Sequence, residues 1–283
     1  MELSDIRVVK SLLARYEIPL SKGLGQNFLI NPTVCPRIAE MGGARPEVGV
    51  LEIGPGIGVL TAELAERAGK VVAVEVDDRL LPVLEETVGG YPNVRVVHGD
   101  ALRIDLRELV AREFAGMPVV VCANLPYYIT SPILMALLEA RLPLDSVTVM
   151  VQKEAAERLC APLGTREVGA ITVAVRYFAE PELLFSVSPG SFLPPPKVES
   201  SVIRLSIRKQ TPPVDDEGMF FRVVRAAFSQ RRKMLSNTLS AGFAIEKAEA
   251  LRVLAAAGVS STARAEELRM EDFTALANAM AAR

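Results

Sequence analysis

Between about residues 48 and 208, short β-branched runs alternate with longer amphipathic stretches, and this alternation limits the fold more than any other feature. The runs are "VGVLEIG", "KVVAVEVD", "VRVVHGD", "PVVVCAN", "DSVTVMVQ", "AVRYFAEPELLF" and "SSVIRLSIR". Between them, "GVLTAELAERAG" and "DRLLPVLEETV" carry apolar residues at helical spacing. Repeated strand–helix units read as a mainly parallel sheet covered by helices on both faces, an α/β fold with seven strands. The last two runs follow one another with no helix between, which predicts a final antiparallel hairpin.

After residue 208 the pattern changes. The linker Lys209–Gly218, "KQTPPVDDEG", mixes prolines with acids, and everything beyond it is helical in period: "MFFRVVRAAFSQRRKMLSNTL", "IEKAEALRVLAAAG" and "MEDFTALANAMAAR". The expected organisation is therefore a sheet domain over 1–208 and a small all-helical domain over 209–283. At the front, "LSDIRVVKSLLARY" reads as a helix capped by Ser4. The span Phe114–Leu138 has no charged residue and is long enough to cross a bilayer. It also holds Pro118, Pro126, Pro132 and Asn124, which would leave backbone groups unsatisfied in lipid, so it reads as strand, loop and helix.

Scattered Cys35, Cys122 and Cys160 without a CxxC pair, and a single histidine, His98, argue against structural zinc, a metal centre or a disulfide framework. "MELSDIRVVK" lacks the basic and apolar regions of a secretory signal, so a cytoplasmic protein is expected. No exposed apolar helix face stands out, so a monomer is expected as well.

The chemistry gathers at strand ends. "LEIGPGIGVLTAEL" is a strand that ends in Gly54-Pro-Gly56-Ile-Gly58 and opens a helix, a turn that lets a ligand approach bare backbone. Glu75 ends the next strand 21 residues after Gly54, where an acid takes a ribose diol in a Rossmann-like unit. Asp100 ends the third strand and Asn124 the fourth. Four polar positions at successive carboxyl ends line one crevice, the place where open α/β sheets bind ligands.

Asn124 opens "NLPYYIT". Adenine's exocyclic amine is a poor nucleophile because its lone pair is delocalised into the ring. Two hydrogen-bond acceptors set against its N–H groups draw that nitrogen toward sp3 geometry. The Asn124 side-chain oxygen and the Leu125 carbonyl can supply them, Pro126 fixes the turn, and Tyr127 offers a flat face for an extruded base. Such catalysis is orientational and electrostatic, with no strong base.

These motifs occur in order with "GQNFL", "MVQKEAAERL", "FLPPPKVESSVIRL" and "FSQRRKMLSNTL". Together they closely resemble the ribosomal RNA adenine N6,N6-dimethyltransferase family, most of all its bacterial small-subunit branch. The resemblance implies a Rossmann-like class I methyltransferase with S-adenosylmethionine as donor. It implies that Asn27 and Leu29 close over the cofactor, Gly54 approaches its methionine part, and Glu75 binds the ribose. Asp100 with Ala101 would hold the adenine, Asn124 would face the methyl transfer, and Phe192 would stack on the target base opposite Tyr127. The implied substrate is a pair of adjacent adenosines in a hairpin near the 3′ end of 16S rRNA, within the assembling 30S subunit. Without the resemblance, a core aromatic is the competing reading of Phe192.

The net charge of −2 gives no overall attraction to nucleic acid, so contact with RNA needs a local patch. From Gly218 to Ile245 there are five basic residues and no acid. On one continuous helix, Arg222, Arg225, Ser229 and Arg232 would fall along a stripe with Lys233 beside it, opposite a buried stripe of Phe220, Val224, Ala227 and Phe228. Arg231 falls on the apolar side. In a chain with an adenine pocket, phosphate contact is the better reading of that stripe than a merely solvated face. Three other functions remain open at this point: a large-subunit 23S rRNA adenine-N6 methyltransferase, a DNA adenine methyltransferase, and an assembly factor whose binding outweighs its methylation.

Overall fold

The computed structural model describes residues 2–19, 27–230 and 232–283. It forms two compact units, residues 1–156 with 181–207, and 157–180 with 208–283. "GQNFL" is only partly described: Gly25 and Gln26, like Arg231, lie outside the described residues.

The first unit is built on seven strands: β1 Gly49–Ile53, β2 Lys70–Glu75, β3 Val94–His98, β4 Val119–Asn124, β5 Leu144–Gln152, β6 Ala179–Val187 and β7 Ser200–Ile207. Their order is β3-β2-β1-β4-β5-β7-β6. The pairs β2–β3, β1–β2, β1–β4 and β4–β5 are parallel, whereas β7 runs antiparallel to β5. The chain enters the sheet at β1, winds outward through β2 and β3, then returns to the other side of β1. This makes the β1/β4 boundary a topological switch point, where a crevice opens beyond the strand ends.

Among its described residues the unit also holds the helices α1 Ile6–Arg15, α2 Val34–Met41, α3 Val59–Ala65, α4 Leu81–Val88, α5 Leu106–Glu113 and α6 Thr130–Glu139. Every residue of β1 is buried, as expected of a parallel strand covered on both faces. One side of the sheet packs Val50, Val71, Val120, Cys122, Met150 and Val202 against Cys35 and Ile38 of α2 and Leu60 and Leu64 of α3. A second cluster joins Val9, Leu12 and Leu13 of α1 to Phe28, Ile57, Leu80 and Val83. Phe114–Leu138 resolves into β4, a turn and α6, and among the described residues no helix is long and apolar enough to cross a membrane.

Three sequence expectations are corrected here. The first helix is capped by Asp5, whose carboxylate accepts the Arg7 N–H at 2.8 Å, while the Ser4 hydroxyl donates to Glu2 instead. "AVRYFAEPELLF" is not one strand. Its first half completes α8 (Ala170–Phe178), which follows α7 (Lys153–Cys160), and only then does β6 begin. The reason is aromatic packing within the second unit: Tyr177 lies 4.6 Å from Phe220 between ring centroids, and Phe178 stacks on Phe221 at 5.5 Å.

The third correction concerns the basic helix. In the second unit, α9 spans Glu217–Ala227 and α10 Leu235–Phe243, followed by α11 Lys247–Ala256 and α12 Met270–Ala281. α9 is capped by Asp216, which accepts the Met219 N–H, and buries Phe220, Val223, Val224 and Ala227. It stops at Ala227, so Arg232 and Lys233 sit on the connection between two helices and share no stripe with Arg222 and Arg225. After Phe228 the sequence offers five polar residues in a row, with nothing apolar to keep a helix face in the core.

Candidate active site

The Gly54–Gly58 turn does what its glycines permit. Gly54 adopts φ +72°, and a Cβ placed on it would meet nothing within 4 Å, so open space lies directly over its backbone. Gly58 adopts φ +89° as the N-cap of α3, and there a Cβ would stand 2.8 Å from Val88 Cγ1. The first glycine leaves room for a ligand, and the second lets α3 pack against α4.

A cleft opens at this turn. It is lined by Asn27, Leu29, Gly54, Glu75, Asp100, Ala101, Asn124, Leu125, Pro126 and Tyr127, together with Glu52, Asp77, Tyr128 and apolar side chains such as Val59, Leu80 and Ile133. All the expected cofactor positions and the whole of Asn124–Tyr127 therefore converge, although they come from four strand ends and one N-terminal segment.

Each polar group is held. Glu75 is buried; its Oε1 accepts the backbone N–H groups of Val76 at 2.9 Å and Asp77 at 2.8 Å, and its Oε2 that of Gly56 at 3.3 Å. Burial raises its pKa, and these N–H donors restrain the rise. Asp100 Oδ1 accepts the Leu102 N–H at 2.9 Å, which closes the turn after β3 and sets Ala101 against the cleft. The Asn124 amide donates from Nδ2 to the Asn27 carbonyl at 3.4 Å. Because a carbonyl can only accept, this contact turns the Asn124 oxygen to the other side. The hydroxyl of half-buried Tyr127 shares a 2.6 Å hydrogen bond with Ser200 Oγ, which pins the ring, and burial pushes its pKa up.

Asn27 and Leu29 reach the cleft on a two-residue ribbon in which Phe28 pairs with Leu193 and Leu29 with Phe192. That ribbon settles where Phe192 lies. Its side chain is 2% exposed, packed with Leu29, Val34 and Ile38, and it does not line the cleft. The structure thus brings Tyr127 to the cleft but not Phe192, which underlies the ribbon.

Sequence reasoning missed Glu52. It lies on β1 and lines the cleft at 1% exposure, and burial pushes its pKa up to about 8, an effect that Glu75 reinforces. The Thr61 hydroxyl pulls the other way, yet neither Glu52 Oε2 nor Thr61 Oγ1 has a partner at hydrogen-bonding geometry among the described residues. A lone acid inside an otherwise apolar buried strand was the available signal.

The charge of the lining limits the ligand. Glu52, Glu75, Asp77 and Asp100 line the cleft, and among the described residues no lysine, arginine or histidine does so. Among the described residues a pyrophosphate would find no counter-charge there, whereas a small ligand with a cationic centre, a diol and an apolar ring matches the acids, Glu75 and the Leu80–Ala101 wall. S-adenosylmethionine has that chemistry and fits these residues.

Comparison with known proteins agrees with this geometry. The family described as "Ribosomal RNA adenine dimethylase" matches residues 20–282. The "Ribosomal RNA small subunit methyltransferase A" of Geobacillus kaustophilus is 48% identical over 278 residues, covering 96% of this chain and 94% of that protein. Its namesake from Alkaliphilus oremlandii is 46% identical and covers 99% and 98%. Among solved structures, a dimethyladenosine transferase from Plasmodium falciparum superposes with TM-score 0.73 at 27% identity, over 88% of this chain and 95% of that one. The 23S rRNA methyltransferase ErmE gives TM-score 0.67 at 30% identity, over 90% and 100%.

Proposed function

The chain belongs to the ribosomal RNA adenine dimethylase family, and from that premise we propose that it dimethylates N6 of two adjacent adenosines in a hairpin near the 3′ end of 16S rRNA. The substrate is the assembling 30S subunit, and the protein acts as a cytoplasmic monomer. The observation that carries the reading is the convergence of Asn124, Tyr127 and the acids Glu52, Glu75, Asp77 and Asp100 on one cleft. The 46–48% identity to small-subunit methyltransferases over nearly the full chain favours 16S over 23S RNA.

S-adenosylmethionine supplies a methyl group activated by its sulfonium. Glu75 binds the ribose hydroxyls with the carboxylate oriented by three backbone N–H groups. Asp100 and Ala101 hold the adenine end, and bare Gly54 admits the methionine end. Asn27 and Leu29 cover the ligand from the ribbon. On the other side, Tyr127 stacks on the flipped adenine, while the Asn124 oxygen and the Leu125 carbonyl accept from its amine. These contacts would orient the amine nitrogen toward a donor held in the cleft and disfavour the misaligned approaches that dominate in solution. Phe192 acts through Leu29 as support for the cover rather than as a second stacking face. Arg222 and Arg225 on α9, with Arg232 and Lys233 on the following connection, contact RNA phosphates from the helical segment 209–283; all four are exposed.

The test is methyl transfer from labelled cofactor to purified 30S particles and, separately, to protein-free 23S rRNA. Label in 30S alone, recovered as N6,N6-dimethyladenosine in nucleoside mass spectrometry, is the expected result. Label only in 23S rRNA overturns the assignment.

A further inference from the structure

Two adjacent tyrosines meet different fates at the cleft. Tyr127 is half-buried and tied to Ser200, whereas Tyr128 is 64% exposed at the rim of the same cleft. We propose that Tyr128 is the stacking platform for the nucleotide that neighbours the base being methylated. This inference rests on the RNA reading above and adds a residue to it.

The backbone that carries the ring is held. Tyr128 sits in the middle of a 3-10 turn, Tyr127–Ile129, that leads directly into α6. The Ile129 N–H returns to the Pro126 carbonyl at 3.1 Å, and Thr130, Ile133 and Leu134 bury the first turns of the helix. The turn is anchored at both ends, so the backbone that carries the exposed ring is held at the rim while the ring itself stays uncovered. Among the described residues its hydroxyl makes no hydrogen bond. An aromatic ring left in water on an anchored turn beside a ligand cleft is a ready contact surface. Among the described residues no other exposed large apolar side chain at the cleft is aromatic: Val76, 61% exposed, directly follows Glu75 on the cofactor side.

RNA geometry supplies the occupant. Extruding one base breaks its stack with the next, whose face must then be covered by water or protein. Tyr127 and Tyr128 have Cα atoms about 3.8 Å apart, so rings on consecutive residues can serve consecutive nucleotides. Stacking of this kind tolerates any base, so Tyr128 would strengthen binding without reading sequence.

The experiment is a double-mutant cycle with the protein and 30S particles reconstituted on 16S rRNA, either intact or abasic at the unmethylated nucleotide that flanks the adenosine pair. Tyr128→Ala should raise KM for intact particles about tenfold with kcat nearly unchanged, and Tyr128→Phe should stay within about twofold of the parent. The abasic particle should cost the parent protein the same factor, and Tyr128→Ala should then lose nothing further. Losses that multiply overturn the proposal. So does weakened binding of S-adenosylhomocysteine by Tyr128→Ala, which would place the ring on the cofactor. If the parent protein fails to methylate intact particles, the RNA reading itself falls, and the role of Tyr128 with it.

Discussion

Replacing Glu52 by glutamine should change how stability depends on pH, and the structure sets the size of the change. Glu52 is fully buried, one of its oxygens has no partner among the described residues, and Glu75 adds to the effect; burial is the larger cause of a pKa pushed from 4.5 up to about 8. Below pH 4.5 the carboxyl is neutral in both folded and unfolded chains, and its contribution to stability is fully present. Between 4.5 and 8 the unfolded chain releases the proton while the folded one keeps it, so stability falls by about 1.4 kcal/mol per pH unit. Above 8 the folded carboxyl ionises too, and the loss levels off at roughly 5 kcal/mol. Glutamine has the same shape and does not titrate. The stability gap between Glu52→Gln and the parent should therefore shift in favour of the variant by about 3 kcal/mol between pH 5.5 and 7.5. Because the chain contains no tryptophan, urea unfolding is best followed by far-UV circular dichroism, without ligand, at several pH values. Parallel stability–pH curves for the two proteins would refute the reasoning and show that Glu52 ionises normally in the folded chain.

Asn124→Ala should lower the methylation rate on 30S particles by about a hundredfold or more while shifting the thermal midpoint little; labelled-methyl transfer and calorimetry check both, and full-speed turnover would remove Asn124 from the chemistry. Gly58→Ala combines a left-handed backbone with a Cβ 2.8 Å from Val88 Cγ1 and should destabilise by about 2–3 kcal/mol, read by urea denaturation. Tyr177→Ala removes a ring that is 1% exposed and packed against Phe178, Phe220 and Phe221. It should cost about 3–5 kcal/mol and lower the melting transition of the helical unit, visible by calorimetry.

Local features were legible where the physics is local. Gly54 and Gly58 marked a turn because left-handed backbone favours glycine at short range, and Glu75, Asp100 and Asn124 marked strand ends because a polar residue terminates an apolar run. The break between α9 and α10 was harder to read: "FSQRRKML" contains neither glycine nor proline, and only the loss of an apolar face after Phe228 ends the helix. Phe192 was ambiguous for a similar reason, since its burial depends on pairing with Leu29 across more than 160 residues of chain. Ser4 and Asp5 are both good caps, and the choice fell to the residue whose carboxylate also reaches the Arg7 guanidinium.

By itself, the sequence determined the alternation of strands and helices, the glycine turn and the set of polar residues at strand ends, because periodicity and backbone sterics act over a few residues. Strand order and register came only with the tertiary structure. They align Glu52, Cys122, Thr148 and Arg204 along one rung of the sheet and leave Glu52 Oε2, Thr148 Oγ1 and Arg204 Nε without partners among the described residues. Tertiary packing also decided that one tyrosine of the pair is fastened inside the cleft while the other faces solvent. Burial is a property of the whole packed unit, and it changes the chemistry of a carboxyl or a ring in ways that neighbours in the chain cannot.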